Sequence, residues 1–340
     1  MFNAYRPLSK SRETEVWQKG LVCVDTNILL HLYRVDDELR NTLFLILKHL
    51  ASEGRLFIPQ QVVLEFYRNR ISVIHEQTQL PASVEKAFDE SIKKVEQSLR
   101  KNVRLIAKVN KAKSAFIASL KEAVQSLDNR IDPILEKFEE FGIACVGQKV
   151  DEAELVMRMA EAQKRKLNKT PPGFRDQENN DYLVWAECIA ACKMKSLDLL
   201  FVTDDVKEDW YWRVSGQTHG ARAELRHEFT KSVSGQQVVL SPFDYFIENI
   251  KIPELTITKE AVSEATEITA AIEKAYEADQ SIRSAYIAAQ YRSAFETLQE
   301  KFRREAEGTP ELQDRIREFK DSKMVMEKLI KSLGIERDPE

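Results

Sequence analysis

Apolar positions fall along this chain in runs of two kinds. Short unbroken runs read as buried strands: GLVCVD at 20–25, RLFIP at 55–59, LDLLFVTDD at 197–205 and QQVVLSP at 236–242. Longer runs have helical spacing. Leu39, Leu43, Leu45, Leu47 and Leu50 mark a helix over 36–52, with Gly54 placed to end it. Pro59 suits the first turn of a helix carrying QQVVLEFYRNRISVIH. LVMRMAEAQKRK and DYLVWAECIAACKMK read as two more helices, separated by the breaker Thr170-Pro171-Pro172-Gly173. Strands alternating with helices predict an α/β fold with a parallel or mostly parallel sheet.

Two stretches depart from that alternation. Over 82–140 a near-heptad stripe through Ile92, Val95, Leu99, Ile106, Val109, Phe116 and Leu120 predicts a long helix in a hairpin or coiled coil, with Asn102 and Lys113 on the stripe. Residues 91–113 hold eight Lys/Arg against one acid, Glu96. That charge reads first as a solvated helix face and second as a phosphate-contacting arm. After Pro253, residues 255–340 carry no strand signal and predict two or three helices, broken near Gly308-Thr309-Pro310. The expected division is therefore a domain over 18–250 with a helical insertion at about 80–165, then a helical C-terminal region over 255–340.

Composition narrows the class. Among 340 residues there are only 10 Gly and 10 Pro, too few for a collagenous or turn-dense all-β protein. With 51 basic and 55 acidic side chains the net charge is −4, which excludes a globally basic nucleic-acid coat but not a local basic patch. No apolar run approaches the ~20 residues that span a bilayer, so no membrane partner is expected. The N-terminal MFNAYRPLSKSRETEVW lacks the apolar stretch of a secretory signal, and four scattered cysteines do not make a disulfide framework. A cytoplasmic location is the expectation.

The chemical signal lies in acids at strand ends. Asp25 closes the first strand and Asp204-Asp205 close the third; Glu65 lies in an otherwise apolar VVLEF helix. Asp176 falls in the polar RDQENN stretch and Asp181 opens the helix after it. Ligands of open parallel sheets sit beyond the carboxyl ends of the strands, where such acids can meet. Taken singly, Asp181 reads as a helix cap and Asp204-Asp205 as a turn. Gathered together, they repel one another and require a cation, and oxygen ligands suit Mg²⁺ or Mn²⁺. Phosphodiester hydrolysis is the chemistry such clusters serve. Arg68 lies three positions after Glu65, and it, Arg70, Lys207 and Arg222 are the candidate phosphate contacts, with ion pairing as the alternative. Trp210-Tyr211-Trp212 reads first as packing and second as a base-stacking platform. Cys188 and Cys192 read as buried small hydrophobes.

The blocks DTNILLHLYR, IPQQVVLEFYRNR, PPGFRD and FVTDDVKEDW, in that order, resemble PIN-domain nucleases, and within them the bacterial PIN-like-domain subgroup. The resemblance covers roughly 20–248. It implies a three-layer α/β/α sandwich and a metal-dependent nuclease site. It implies Asp25, Glu65 and Asp181 as metal ligands, with Asp205 two positions after Thr203, or Asp204, as the fourth, and Asp176 as an extra ligand. Thr26, Asn27 and Thr203 would support them. It further implies an endonuclease acting on RNA ahead of DNA, with a toxin or phage-defence role. The runner-up is a non-catalytic interaction module, in which the helical insertion and C-terminal helices mediate oligomerisation or dock a regulatory protein.

Overall fold

A computed structural model of the chain describes residues 5–98, 103–124, 132–175, 178–214 and 217–279. Leu99, Asn102, Asp176 and the break expected near Gly308 lie outside the described residues. Among those described, no helix is long and apolar enough to cross a membrane.

The chain opens with α1 (Lys10–Lys19), whose N-terminus is capped by the Ser9 hydroxyl accepting from the Arg12 amide. Gly20 ends it, because a Cβ there would stand 2.5 Å from the Val16 carbonyl oxygen. The elements that follow are β1 (Leu21–Val24), α2 (Thr26–His31), α3 (Asp37–Ser52), β2 (Leu56–Phe57) and α4 (Gln60–Ser98). Next come α5 (Val103–Val124), α6 (Pro133–Gly142), α7 (Glu152–Asn168), α8 (Asn180–Lys195) and β3 (Leu199–Val202). An antiparallel hairpin of β4 (Tyr211–Val214) and β5 (Gln217–Ala221) leads into α9 (Ala223–Ser232), β6 (Val238–Ser241) and α10 (Phe243–Asn249). Residues 259–279 are helical.

The main sheet has the order β2-β1-β3-β6 and is parallel throughout. It forms the middle of a three-layer α/β/α sandwich. Every residue of the central strands β1 and β3 is buried, as expected for a parallel sheet covered on both faces. That accounts for the unbroken apolar runs LVCV and LLFV. Register brings Val24 opposite Val202 and Val202 opposite Ser241, so the chain leaves β1, β3 and β6 at one level. Asp25 and Thr203–Asp205 emerge side by side there.

The four strands of the main sheet and the helices read from periodicity are present. Two features differ from the expectation. First, the helix starting at Gln60 does not end near residue 75; it runs through Pro81 to Ser98 and packs against α5. A helix-interior proline costs one backbone donor and a steric clash, yet α4 continues through it. Of the hairpin or coiled coil expected over 82–140, the described residues show α4 and α5 packed together, with Lys113 paired to Asp89 at 2.8 Å and Glu85 at 3.9 Å. Second, β4–β5 was not anticipated, although Ser215-Gly216 between two polar and aromatic runs is a turn signal.

The chain divides into two compact units, Met1–Thr269 and Ala270–Glu340. In the first, packing continues past Pro253: Ala261 and Ala265 are buried in the core, and Glu264 accepts from the Asp36 amide at 2.8 Å. In the second, the described residues 270–279 are helical.

Candidate acidic active site

Asp25 stands between two elements. It ends the buried β1 and is the N-cap of α2, its Oδ1 accepting from the Thr26 amide at 2.7 Å. Oδ2 accepts from the Thr203 hydroxyl at 2.7 Å and the Asn27 side-chain amide at 3.0 Å. The Thr203 oxygen in turn accepts from the Asp205 amide at 3.0 Å. On the other side of Asp25, the Thr26 hydroxyl donates to Glu65 Oε2 at 3.1 Å, and Gln61 donates to Glu65 Oε1 at 2.9 Å. Thr26, Asn27 and Thr203 therefore join the ends of β1 and β3 to the α4 glutamate.

Asp205 and Asp181 meet across one ammonium group. Lys207 Nζ lies 2.7 Å from Asp205 Oδ2 and 3.4 Å from Asp181 Oδ2, and the Lys207 backbone amide donates to Asp205 Oδ1 at 2.9 Å. Burial alone would lower the lysine pKa, but Asp181 and Asp205 outweigh it and raise it well above its ordinary value. Asp25 feels the opposite field. Burial lifts its carboxyl to about 6, assisted by the charges of Asp205 and Glu65 and resisted by the Thr203 and Thr26 hydrogen bonds. Burial is the main cause, and the like charges of Asp205 and Glu65 add to it.

The neighbouring Asp204 has a different setting. It is buried, with Oδ2 2.6 Å from His31 Nε2 and Oδ1 accepting from the Phe243 amide at 2.9 Å. His31 is itself buried and its ring lies 4.7 Å from that of Phe243. Asp204 thus ties α2 to the start of α10, while Asp205 stands with Lys207 and Thr203. His31 was missed from the sequence, where it looked like one more residue of an apolar helix.

Two further acids, not singled out from the sequence, hold the surrounding segments. Glu187 of α8 accepts from the Gln60 amide at 2.6 Å and the Gln61 amide at 3.3 Å, capping α4 from outside its own chain segment. Glu65 is one turn further along α4. Asp209 is fully buried, and its Oδ2 accepts from the Gly173 and Arg175 amides at 3.1 Å each. Gly173 has φ +89°, a conformation that L side chains rarely adopt, so this tight loop needs glycine. Asp209 thereby fastens the loop preceding α8, the helix that carries Asp181.

The basic candidates separate by their partners. Arg70 donates to Asp132 Oδ2 at 2.6 Å, an oxygen that also accepts from the Tyr33 hydroxyl at 2.8 Å. Arg68 is exposed, 3.8 Å from the equally exposed Glu178. Arg222 pairs with Glu224 at 3.0 Å and lies over the Trp212 ring, 4.3 Å from its centroid. Trp210 and Tyr211 are buried, Trp210 stacking on Phe201 at 4.9 Å, whereas Trp212 is 39% exposed. Cys188 is buried beside Cys23, the sulfurs 3.2 Å apart.

The donors gathered here are hard carboxylate oxygens, and a cation already stands between two of them in the form of the Lys207 ammonium. Hard oxygen donors are the type that suits a divalent metal. As they stand, no group of three or more His, Cys, Asp or Glu among the described residues is spaced to close around an ion.

A family model described as a PIN like domain matches residues 21–225. The chain belongs to the PIN-like domain family. The match spans β1 to α9 and so takes in Asp25, Glu65, Asp181 and Asp205 together with the α4–α5 hairpin. PIN domains are generally nucleases that use divalent metals. No curated protein and no solved structure matches the chain.

Proposed function

We propose that this protein is a Mg²⁺- or Mn²⁺-dependent endonuclease that hydrolyses phosphodiester bonds, RNA ahead of DNA. The observation that carries the reading is a chain of hydrogen bonds and ion pairs linking four acidic residues at the C-terminal edge of the sheet, Asp205 joining Thr203 through its backbone amide. Glu65 reaches Asp25 through Thr26, Asp25 reaches Asp205 through Thr203, and Asp205 reaches Asp181 through Lys207.

In this reading Asp25, Glu65, Asp181 and Asp205 hold the metal, with Asp176 as an additional ligand. A bound divalent ion would supply charge stabilisation at phosphorus and a water of lowered pKa. Asp205 is preferred to Asp204 because it shares the Lys207 ammonium with Asp181, whereas the buried Asp204 is turned to His31 and the Phe243 amide. Thr203, Thr26 and Asn27 orient Asp25 and Glu65. In the reaction a water oxygen bonds to phosphorus and the P–O3′ bond breaks, leaving 5′-phosphate and 3′-hydroxyl ends. Of the basic candidates, Arg68 has the exposure a phosphate contact needs, whereas Arg70 is engaged by Asp132. A cytoplasmic toxin or phage-defence effector is the biological role this chemistry would serve.

The test is cleavage of single- and double-stranded RNA and DNA with Mg²⁺ or Mn²⁺ against chelator, comparing wild type with Asp25→Asn. Metal-dependent cleavage lost in the variant supports the reading. Equal cleavage by Asp25→Asn removes Asp25 from the site, and failure to cut any nucleic acid with either metal removes the nuclease reading.

A further inference from the structure

Both oxygens of Asp205 are taken by one residue. Oδ1 accepts from the Lys207 backbone amide at 2.9 Å and Oδ2 lies 2.7 Å from the Lys207 ammonium. The same ammonium reaches Asp181, on a different element, at 3.4 Å. We propose that Lys207 is a built-in counter-ion that competes with the divalent metal for Asp205 and Asp181. The acidic centre closes on its own lysine without metal, and metal entry displaces the ammonium. The inference rests on the metal-dependent reading above and adds a regulator of its metal affinity.

Charge gives the reason. Two carboxylates brought to one place without a cation repel each other, and so does the wider set that includes Asp25 and Glu65. One ammonium removes a single charge from that set, whereas a divalent ion removes two. The ammonium and the ion need the same Asp205 oxygen, so they cannot both hold it. Lys207 is also able to leave. Its side chain is 36% exposed, against 11% for Asp205 and 19% for Asp181, so it is the most accessible of the three. The other charge acting on it, Asp209, is fastened to the Gly173–Arg175 loop and does not replace Asp205 as its partner.

The experiment measures Mn²⁺ binding by electron paramagnetic resonance, and melting temperature in chelator and in Mn²⁺. It uses the full chain as wild type, Lys207→Met, Lys207→Arg and Asp205→Asn. Lys207→Met should bind Mn²⁺ about tenfold more tightly or better. In chelator it should melt a few degrees below wild type, with Mn²⁺ restoring the loss. Lys207→Arg, which keeps the charge, should bind as weakly as wild type. Unchanged or weaker Mn²⁺ binding by Lys207→Met overturns competition; the metal reading still stands in that case if Asp205→Asn weakens binding. If neither wild type nor any variant binds Mn²⁺, the metal-dependent reading falls and this inference falls with it.

Discussion

Thr203, just past the end of β3, donates its hydroxyl to Asp25, just past the end of β1, at 2.7 Å, and the same oxygen receives the Asp205 amide at 3.0 Å. Thr203 is buried, so these bonds have no water to replace them. One hydroxyl therefore sets both the orientation of Asp25 and the path of the chain into Asp205.

Replacing Thr203 with Val keeps the shape and deletes the hydroxyl. The expected cost is about 1–3 kcal/mol of stability, because Asp25 and the Asp205 amide are left with an unmet bond. Nuclease activity should fall further than the stability loss explains, since two acids lose their alignment. Thr203→Ser should retain most of both. Denaturant unfolding alongside a cleavage assay checks this, and a fully active Thr203→Val would remove the hydroxyl from the site's support.

Asp204 and Asp205 are adjacent and chemically identical, yet they should respond oppositely to amidation. Asp204→Asn weakens a buried link to His31 and Phe243 and should destabilise the fold by about 1–3 kcal/mol. Asp205→Asn removes one charge from a crowded group, so its stability should change little while cleavage is lost. Melting curves and turnover of the two variants, measured together, separate the roles. Reversed phenotypes would exchange the two assignments.

The sequence carried much of this arrangement and left specific parts out. The strands β1 and β3 were readable because burial on both faces demands unbroken apolar runs, and the acids at their ends followed. Whether Asp204 or Asp205 faces the centre was not readable. What the structure adds is that Asp204 is held by His31 and the Phe243 amide, which lie far from it in sequence and meet it only once the sheet is assembled. Glu187 and Asp209 were missed for a related reason. Each accepts from backbone amides of a remote segment, and a backbone donor has no sequence signature. Arg70 looked equivalent to Arg68 until the approach of Asp132 and Tyr33 distinguished them. The passage of α4 through Pro81 also runs against local propensity.

Glu187 should control Glu65 from a distance. Its carboxylate caps the first amides of α4, so Glu187→Ala leaves Gln60 and Gln61 without that acceptor, at a cost of about 1–2 kcal/mol. Fraying of the first turn should reach Gln61, which also holds Glu65. Hydrogen exchange at residues 60–65 should accelerate and cleavage should drop, with Glu187→Gln intermediate. Unchanged exchange in the alanine variant would show that α4 is held by packing alone.

Asp209 offers the corresponding test for α8. Its buried Oδ2 receives the Gly173 and Arg175 amides, which fixes the loop that delivers Asp181. Asp209→Ala should release that loop, cost about 1–3 kcal/mol and speed exchange of both amides. Asp209→Asn keeps an acceptor oxygen but loses the charge, so it should hold the loop more weakly and fall between the two. The distinguishing readout is the ratio of exchange to metal affinity. Loop release without any change in Mn²⁺ binding would mean that Asp181 is positioned by α8 itself. A joint change would mean that Asp209 sets the metal centre through the loop.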